Sequence, residues 1–155
     1  MLIRPCRNGD IPHITRLFYD TIHLVNSHDY TREQINAWAP SVPDVSFWKE
    51  RAKQYRVYVA EENECIVGFT ELDNSGHIDC FFVHHRWQGR GVGSRLMERV
   101  VDTAIKQRVP RLYAEVSITA APFFRKRGFV VLRESEVIRR NVKLKQFSME
   151  RWLTA

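Results

Sequence analysis

The chain has 155 residues, a formal net charge of +6, 44% hydrophobic residues and 27% charged residues. These values are typical of one globular domain with its own core, and we expect a single domain over residues 1–155. No apolar run approaches the roughly 20 residues that a membrane-spanning helix needs, and the N-terminus has no signal-peptide pattern. We therefore expect a cytoplasmic protein without a membrane partner.

The first half of the chain predicts short helices followed by an antiparallel meander. Apolar residues at helical spacing indicate an amphipathic helix over about 10–26, after a short strand at 2–6. Thr31 is expected to cap a second helix that ends before Pro40, and a third short helix is predicted near Phe47. Two strands at 56–61 and 65–72 form a predicted hairpin, and a third strand follows at 77–83.

The second half begins with a glycine-rich loop and a helix predicted over about 91–107. The next strand, residues 111–117, is expected to lie parallel to the strand before the loop, because a helix connects the two. Thr119 is the predicted cap of a short helix that contains Phe123 and Phe124. The last strands are predicted to form a hairpin around Arg140 and Asn141.

The three cysteines lie in apolar, strand-like runs, which predicts buried, reduced thiols: Cys6, Cys65 and Cys80. A metal site built from His77, Cys80, His84 and His85 is not favoured, because no tetrahedral spacing is present and Cys80 should face away from His77. We expect no metal. The basic residues are dispersed and no nucleic-acid-binding motif accompanies them, so we expect no nucleic-acid partner.

The loop from Gln88 to Ser94 joins an apolar strand to a helix start, which is a natural site for a phosphate group. A Walker loop is excluded because no lysine follows Gly93. The dinucleotide fingerprint is excluded because its third glycine comes one position early. The pattern that remains is Q-x-x-G-x-G, formed by Gln88, Gly91 and Gly93.

With its surroundings, this pattern resembles the GNAT (GCN5-related) superfamily of acyl-CoA-dependent N-acetyltransferases. The segment Ala120–Phe129 is similar to the second signature of that family, and residues 28–40 are similar to its small bacterial YafP-like branch. The resemblance implies an α/β (α+β) fold with a mixed, mostly antiparallel central sheet, a splayed parallel strand pair and flanking helices. It also implies acetyl-CoA as cosubstrate and an amine of a small molecule or peptide as acceptor.

In this family, backbone N–H groups of the loop hold the CoA pyrophosphate. Here those would be the groups of Gln88, Gly89, Arg90, Gly91, Val92, Gly93 and Ser94. Pantetheine would bind backbone groups of Phe82 and Val83, and one amide there would stabilise the oxyanion of the tetrahedral intermediate. Ser117 occupies the place where many relatives carry an asparagine that contacts pantetheine.

The catalytic assignment is less direct because Phe124 stands where many relatives have a tyrosine that protonates the leaving thiolate. Ser117 or water is the alternative donor, and Phe124 is expected to form a wall against the cofactor. For the base that takes the proton of the amine, Asp79 and His77 are the main candidates, since they lie early on the strand before the loop and share one face with Phe81 if alternation holds. Glu71 and Glu115 are further candidates.

The acceptor pocket of this family forms from the first helices and their loop, where His28, Tyr30 and Trp38 are the expected lining. The absent tyrosine keeps a second hypothesis open, namely a non-catalytic acyl-CoA-binding or interaction module with the same fold. The sequence leaves open the identity of the amine, and both a monomer and a homodimer are compatible with it.

Overall fold

The computed structural model describes residues 1–153. Seven strands and five α-helices occur in the following order: β1 Leu2–Pro5, α1 Ile11–Leu24, α2 Arg32–Trp38, α3 Val45–Arg51, β2 Arg56–Glu62, β3 Cys65–Leu72, β4 Ile78–Val83, α4 Val92–Lys106, β5 Arg111–Ser117, α5 Ala121–Lys126, β6 Val130–Arg139 and β7 Val142–Trp152. This order agrees with the predicted one, with boundaries shifted by one to three residues at most ends.

The strands form two antiparallel sheets that meet at one point. The first sheet has the order β1-β2-β3-β4 and the second has the order β5-β7-β6. Among the described residues, a single parallel bridge between His77 and Tyr113 connects β4 with β5. Beyond this bridge the two parallel strands diverge toward Val83 and Ser117, so the predicted α/β fold with a splayed parallel pair is confirmed.

Helix α4 covers the divergent strands with an apolar stripe. Its buried residues recur every three or four positions, as in Leu96, Met97, Val100 and Ala104, which explains why this segment folds as an amphipathic helix. Leu96 belongs to the core cluster under the first sheet, whereas Met97 and Val100 belong to the cluster under the second. The helix therefore fixes both sheets relative to the loop at its N-terminus.

The N-terminal strand is tied to the start of α1 by a buried ion pair. The Arg4 guanidinium donates to both carboxylate oxygens of Asp10, at 2.7 and 2.9 Å, and its Nε and Nη2 also contact Glu61. Both Arg4 and Asp10 are buried. The guanidinium therefore holds the pKa of the Asp10 carboxyl below its ordinary value.

The predicted cap of α2 is confirmed, and that of α5 is wrong. Thr31 accepts from the backbone N–H of Gln34 at 3.1 Å, and the Gln34 side chain accepts from Thr31 N at 2.9 Å, which forms a capping box. Thr119 lies two residues before α5, and its hydroxyl has no hydrogen-bond partner within residues 1–153. Ser117 Oγ instead accepts from Ala120 N at 3.1 Å and caps the turn.

The hairpin between β6 and β7 turns at the predicted residues. Arg140 and Asn141 both have positive φ, at 47° and 66°, as a two-residue type I′ turn requires. This turn sets the register that pairs Arg139 with Val142 and Val137 with Leu144.

The cysteine prediction is correct in part. All three thiols are free, and Cys80 is buried, but Cys6 is half-buried and Cys65 is exposed. Cys65 begins β3 next to the tight turn at Asn63 and Glu64, so its apolar neighbours in sequence do not cover it. No helix within residues 1–153 combines the length and the apolar character that crossing a bilayer requires.

Candidate functional site

The gap between β4 and β5 presents free backbone groups of β4. In an antiparallel ladder, consecutive residues direct their N–H and C=O groups alternately to the two sides. His84 N donates to Val67 O at 2.8 Å, so the backbone groups of His84 point to β3. By the same alternation, those of Phe82, two residues earlier, also point to β3. The open edge therefore carries the backbone groups of Phe81 and the N–H of Val83, whose carbonyl already accepts from the Gln88 side chain, and the Phe82 backbone is turned away from this edge.

The glycine-rich loop at the end of this gap depends on two glycines for different reasons. Gly91 is the N-cap of α4 with φ of 84°, a left-handed conformation that other residues adopt only with strain. Gly93 is needed for packing, because a Cβ there would lie 2.9 Å from Cε1 of Phe123. The result is a helix N-terminus whose first N–H groups have no intrahelical partner and can bind an anion.

Two side chains hold this loop in shape. Gln88 Nε2 donates to the carbonyl of Val83 at 2.7 Å, so its side chain closes the loop on β4. The Ser94 hydroxyl accepts from the Arg127 guanidinium, which also lies over the Phe123 ring at 4.8 Å. The side chains of Gln88 and Ser94 thus stabilise the conformation of the loop, and their backbone groups remain available to a ligand.

Two arginines flank the loop. The exposed Arg90 guanidinium lies 4.9 Å from the centre of the Trp87 ring, and Arg127 reaches the first turn of α4 from the end of α5. The sequence analysis placed Arg90 within the loop but did not identify Arg127. The signal was present in the basic run 125–127 that follows Phe123 and Phe124, but only the packing of α5 against α4 brings Arg127 to the loop.

A first cavity of about 190 Å³ fills the gap between the diverging strands. It runs from Val83, Gln88 and Gly93 at the loop to Ser117 at the end of β5. Phe124 lines it and is buried, with edge-to-face contacts to Phe81 at 5.5 Å and to Phe129 at 5.0 Å. Phe124 therefore forms part of the wall of this cavity and carries no hydroxyl there; its contact with the cofactor stays a prediction.

Ser117 lies where the first cavity leads toward α1 and α2. Its hydroxyl oxygen accepts from Ala120 N and, at 3.4 Å, from the side-chain amide of the buried Asn26. Both contacts use Ser117 as acceptor, which leaves its O–H free to donate. Asn26 also lines the first cavity, and the sequence reasoning did not identify it.

A second cavity of about 560 Å³ lies between the first helices and the β6–β7 hairpin. Six aromatic side chains line it, Phe18, Trp48 and Phe82 among them, together with charged residues such as Asp44 and Arg139. The two cavities share five lining residues: Trp38, Asp79, Phe82, Glu115 and Ser117. They therefore meet at the point where β4 and β5 separate, and ligands bound in the two cavities would come into contact there.

His77 and Glu115 form a hydrogen-bonded pair at this junction. His77 Nε2 lies 2.6 Å from Glu115 Oε2, and the histidine ring packs against Tyr113 at 5.0 Å. The Glu115 side chain is 48% exposed and lines both cavities, whereas that of His77 is only 17% exposed and lines neither. His77 precedes β4 instead of beginning it, and Glu115 is the member of the pair that faces the ligand space.

Asp79 is set apart from this pair by a β-bulge. Between the pairs Thr70–Phe81 and Leu72–Ile78, β3 has one residue, Glu71, whereas β4 has two, Asp79 and Cys80. Regular alternation would put Asp79 on the face of Phe81. The bulge instead places Ile78 with Phe81 in one core cluster and brings Asp79 and Cys80 close to Glu71.

Arg51 of α3 binds both carboxylates at the bulge. Its Nε lies 3.0 Å from each oxygen of Glu71, and its Nη2 contacts Glu71 at 2.9 Å and also Asp79. Glu71 is completely buried, so this guanidinium compensates a charge that water cannot reach. The ion pair also occupies the Asp79 carboxylate, which weakens its availability as a base.

Glu71, Asp79 and Cys80 lie close enough for a metal ion, but their chemistry does not favour one. The Arg51 guanidinium already supplies the positive charge. Burial raises the pKa of the Cys80 thiol well above its ordinary value, and the Glu71 charge adds to the rise. The thiol is thus neutral and a poor ligand.

The three expected acceptor residues occupy different environments. Trp38 lines both cavities and packs edge-to-face against Tyr30 at 5.6 Å. Tyr30 lines the second cavity, but its hydroxyl donates to Lys145 O at 2.7 Å and accepts from Ile118 N at 2.9 Å, so it braces the fold. His28 is exposed and lines neither cavity; its role in binding the acceptor stays a prediction.

Comparison with known proteins agrees with this architecture. Residues 26–151 match the family described as acetyltransferase (GNAT) domain. The chain belongs to the GNAT family. It is 32% identical to YafP, an uncharacterized N-acetyltransferase of Escherichia coli strain K12. The alignment of 147 residues covers 95% of this chain and 93% of YafP. These matches identify an acyl-CoA-dependent acetyltransferase, as the sequence resemblance implied.

Solved structures of GNAT proteins share the fold. A GCN5-related N-acetyltransferase from Rhodopseudomonas palustris superposes with a TM-score of 0.92 at 29% identity, over 98% of this chain and 95% of that one. YncA from Salmonella typhimurium, solved with its cofactor acetyl-CoA, gives a TM-score of 0.74 at 21% identity, over 100% and 95% of the two chains. The two diverging sheets are therefore an architecture that this chain has in common with other GNAT proteins.

Proposed function

We propose that this protein transfers the acetyl group of acetyl-CoA to a primary amine of a small molecule or peptide, by direct attack in a ternary complex. The observation that carries this proposal is the meeting of the two cavities at Asp79, Glu115 and Ser117. A thioester in the first cavity and an amine in the second would be neighbours there, so no covalent enzyme intermediate is required. We assign the reaction to the bacterial cytoplasm.

The residues that line the first cavity suit acetyl-CoA, which would supply the acetyl group as an activated thioester. In our proposal the N–H groups of the loop and of the first turn of α4 bind the pyrophosphate, and Arg90 and Arg127 add charge-assisted contacts. The free edge of β4 binds pantetheine through the backbone of Phe81 and Val83. One N–H of this edge donates to the carbonyl oxygen of the thioester as negative charge develops on it.

For the base we favour Glu115, oriented by His77, over Asp79. Glu115 lines both cavities and has a hydrogen bond of 2.6 Å to His77, whereas Asp79 is paired with Arg51. Glu115 takes a proton from the attacking amine directly or through one water molecule. Ser117, whose O–H is free to donate, or water returns a proton to the leaving thiolate, since Phe124 has no hydroxyl to do so.

Cofactor binding is tested by thermal unfolding with acetyl-CoA. At a concentration of about 100 times Kd, acetyl-CoA should stabilise the wild type by roughly 2.7 kcal/mol. Gly91→Glu should abolish this stabilisation because it adds a negative charge and a side chain at a positive φ. Gly9→Glu is the matched control, since Gly9 lies outside both cavities and has open space around its Cα. Equal stabilisation of all three proteins would contradict the assigned phosphate site.

Catalysis is tested by acetyl-CoA consumption over a panel of amines. Glu115→Gln should lower kcat by about 10²-fold or more, and His77→Ala should have a smaller effect in the same direction. If Glu115→Gln keeps the wild-type kcat and Asp79→Asn loses it, Asp79 is the base. Bound CoA without turnover of any amine would favour the non-catalytic binding module.

A further inference from the structure

The exposed Arg139 lines the second cavity, and no residue within 1–153 pairs with its charge. Arg139 is the last residue of β6 and pairs with Val142. Val137, two positions earlier on β6, pairs with the buried Leu144. Residues two apart on a strand share a face. Arg139 therefore extends from the same face as Val137, and both line the second cavity.

The other cations of this cavity already have partners. Arg51 binds Glu71 and Asp79, Arg140 donates to the carbonyl of Ala37 at 2.6 Å, and Lys145 pairs with Glu134. Within residues 1–153, the Arg139 guanidinium has no carboxylate within 4.0 Å and no side-chain hydrogen bond.

The second cavity carries both signs of charge. Asp44, Asp79 and Glu115 supply carboxylates, and the last two lie at the junction, where an amine would have to be for transfer. The Arg139 charge acts on the interior of the same cavity: burial raises the pKa of the Cys80 thiol, and the positive charges of Arg51 and Arg139 oppose that rise. Aromatic side chains also line the cavity, which suits the carbon skeleton of a small ligand.

We infer that the acceptor is a small amine that also carries a carboxylate, and that Arg139 binds this carboxylate. The planar guanidinium matches a carboxylate in a bidentate geometry, and its single positive charge balances the single negative charge of that group. Arg139 is then a specificity-determining residue that lies away from the reacting atoms. The inference rests on the proposed acetyl transfer and narrows its substrate class.

The test compares matched acceptors that differ only in the carboxylate, such as phenylalanine with 2-phenylethylamine and leucine with 3-methylbutylamine. A second series, from β-alanine to 6-aminohexanoate, varies the distance between the amine and the carboxylate. We expect the wild type to prefer the amino acid of each matched pair by about 10- to 100-fold in kcat/KM, the range of one charge-assisted bidentate contact.

Arg139→Met should raise KM for the preferred amino acid by a similar factor of about 10- to 100-fold. It should leave KM for acetyl-CoA and the rates with the decarboxylated amines unchanged, and Arg139→Lys should restore part of the preference. Arg133→Met is the matched control, because Arg133 lies on the same face of β6 but outside both cavities. It should behave as the wild type.

The results separate this inference from the proposed function. Turnover of both members of each pair with equal kcat/KM, or equal losses on both in Arg139→Met, would overturn the carboxylate assignment and leave acetyl transfer intact. Acetyl-CoA binding without turnover of any member of either series would overturn the proposed function and this inference with it.

Discussion

Replacing Arg51 by methionine should destabilise the protein strongly, because it leaves a charged group buried without a partner. Glu71 has 0% exposure, and Arg51 contacts both of its carboxylate oxygens at 2.9 to 3.0 Å. Removing one partner of a buried ion pair costs about 3 to 5 kcal/mol. For a chain of this length that corresponds to a fall in Tm of roughly 6 to 20 °C.

The measurement is urea unfolding followed by tryptophan fluorescence, together with thermal unfolding, at neutral pH. The double variant Arg51→Met/Glu71→Met should recover most of the stability, since apolar residues of similar volume often replace a buried ion pair at little cost.

Lys53→Met serves as the matched control for this prediction. Lys53 pairs with Glu50, but both side chains are more than 70% exposed, and such surface pairs contribute about 0 to 1 kcal/mol. If Arg51→Met loses no more than Lys53→Met, or if the double variant is less stable than the single one, the reasoning about the buried charge is wrong.

Two further predictions concern stability at low pH and thiol reactivity. Asp10→Asn should cost about 3 kcal/mol at neutral pH, because it breaks the pair with Arg4. The pKa of Asp10 is lowered from 3.8 in the folded state, so its contribution to stability is present above pH 3.8 and is lost as pH falls through the lowered pKa. The unfolding curves of variant and wild type should therefore converge in acid, and curves that stay apart would contradict the argument. An alkylating reagent should modify the exposed Cys65 first and Cys80 only after unfolding, and mass spectrometry detects the order. Cys6 should react slowly, because burial raises the pKa of its thiol to about 11. Early modification of Cys80 in the folded protein would contradict this order and show that its cavity is open to reagents.

The local elements were predictable because their determinants lie close together in the chain. The helix after Gly91 follows from apolar spacing, the capping box from Thr31 and Gln34, and the last hairpin from the Arg140–Asn141 turn. Thr119 was assigned wrongly as a cap because Ser117, two residues earlier, offers the same hydroxyl chemistry. Only the three-dimensional path of the turn decides which hydroxyl reaches the helix.

The candidate base could not be chosen from the sequence. Asp79 was a candidate because an acidic residue within an apolar strand costs free energy unless it has a function or a partner. The fold provides the partner, Arg51, which lies 28 positions earlier in the chain, on α3. Glu115 gained importance only because the bridge at His77 brings two strands together that are far apart in sequence.

The sequence by itself determined the anion-binding loop and, through the family resemblance, the acetyl-CoA-dependent class of the enzyme. The loop depends on the glycines at 91 and 93, whose backbone conformation and lack of bulk are properties of the local chain. The tertiary structure decided which side chains share the junction of the two cavities and that Arg139 lines the second cavity without a charged partner among residues 1–153. Those relations depend on the divergence of β4 from β5 and on the register of β6 with β7, and both are set by contacts between distant segments.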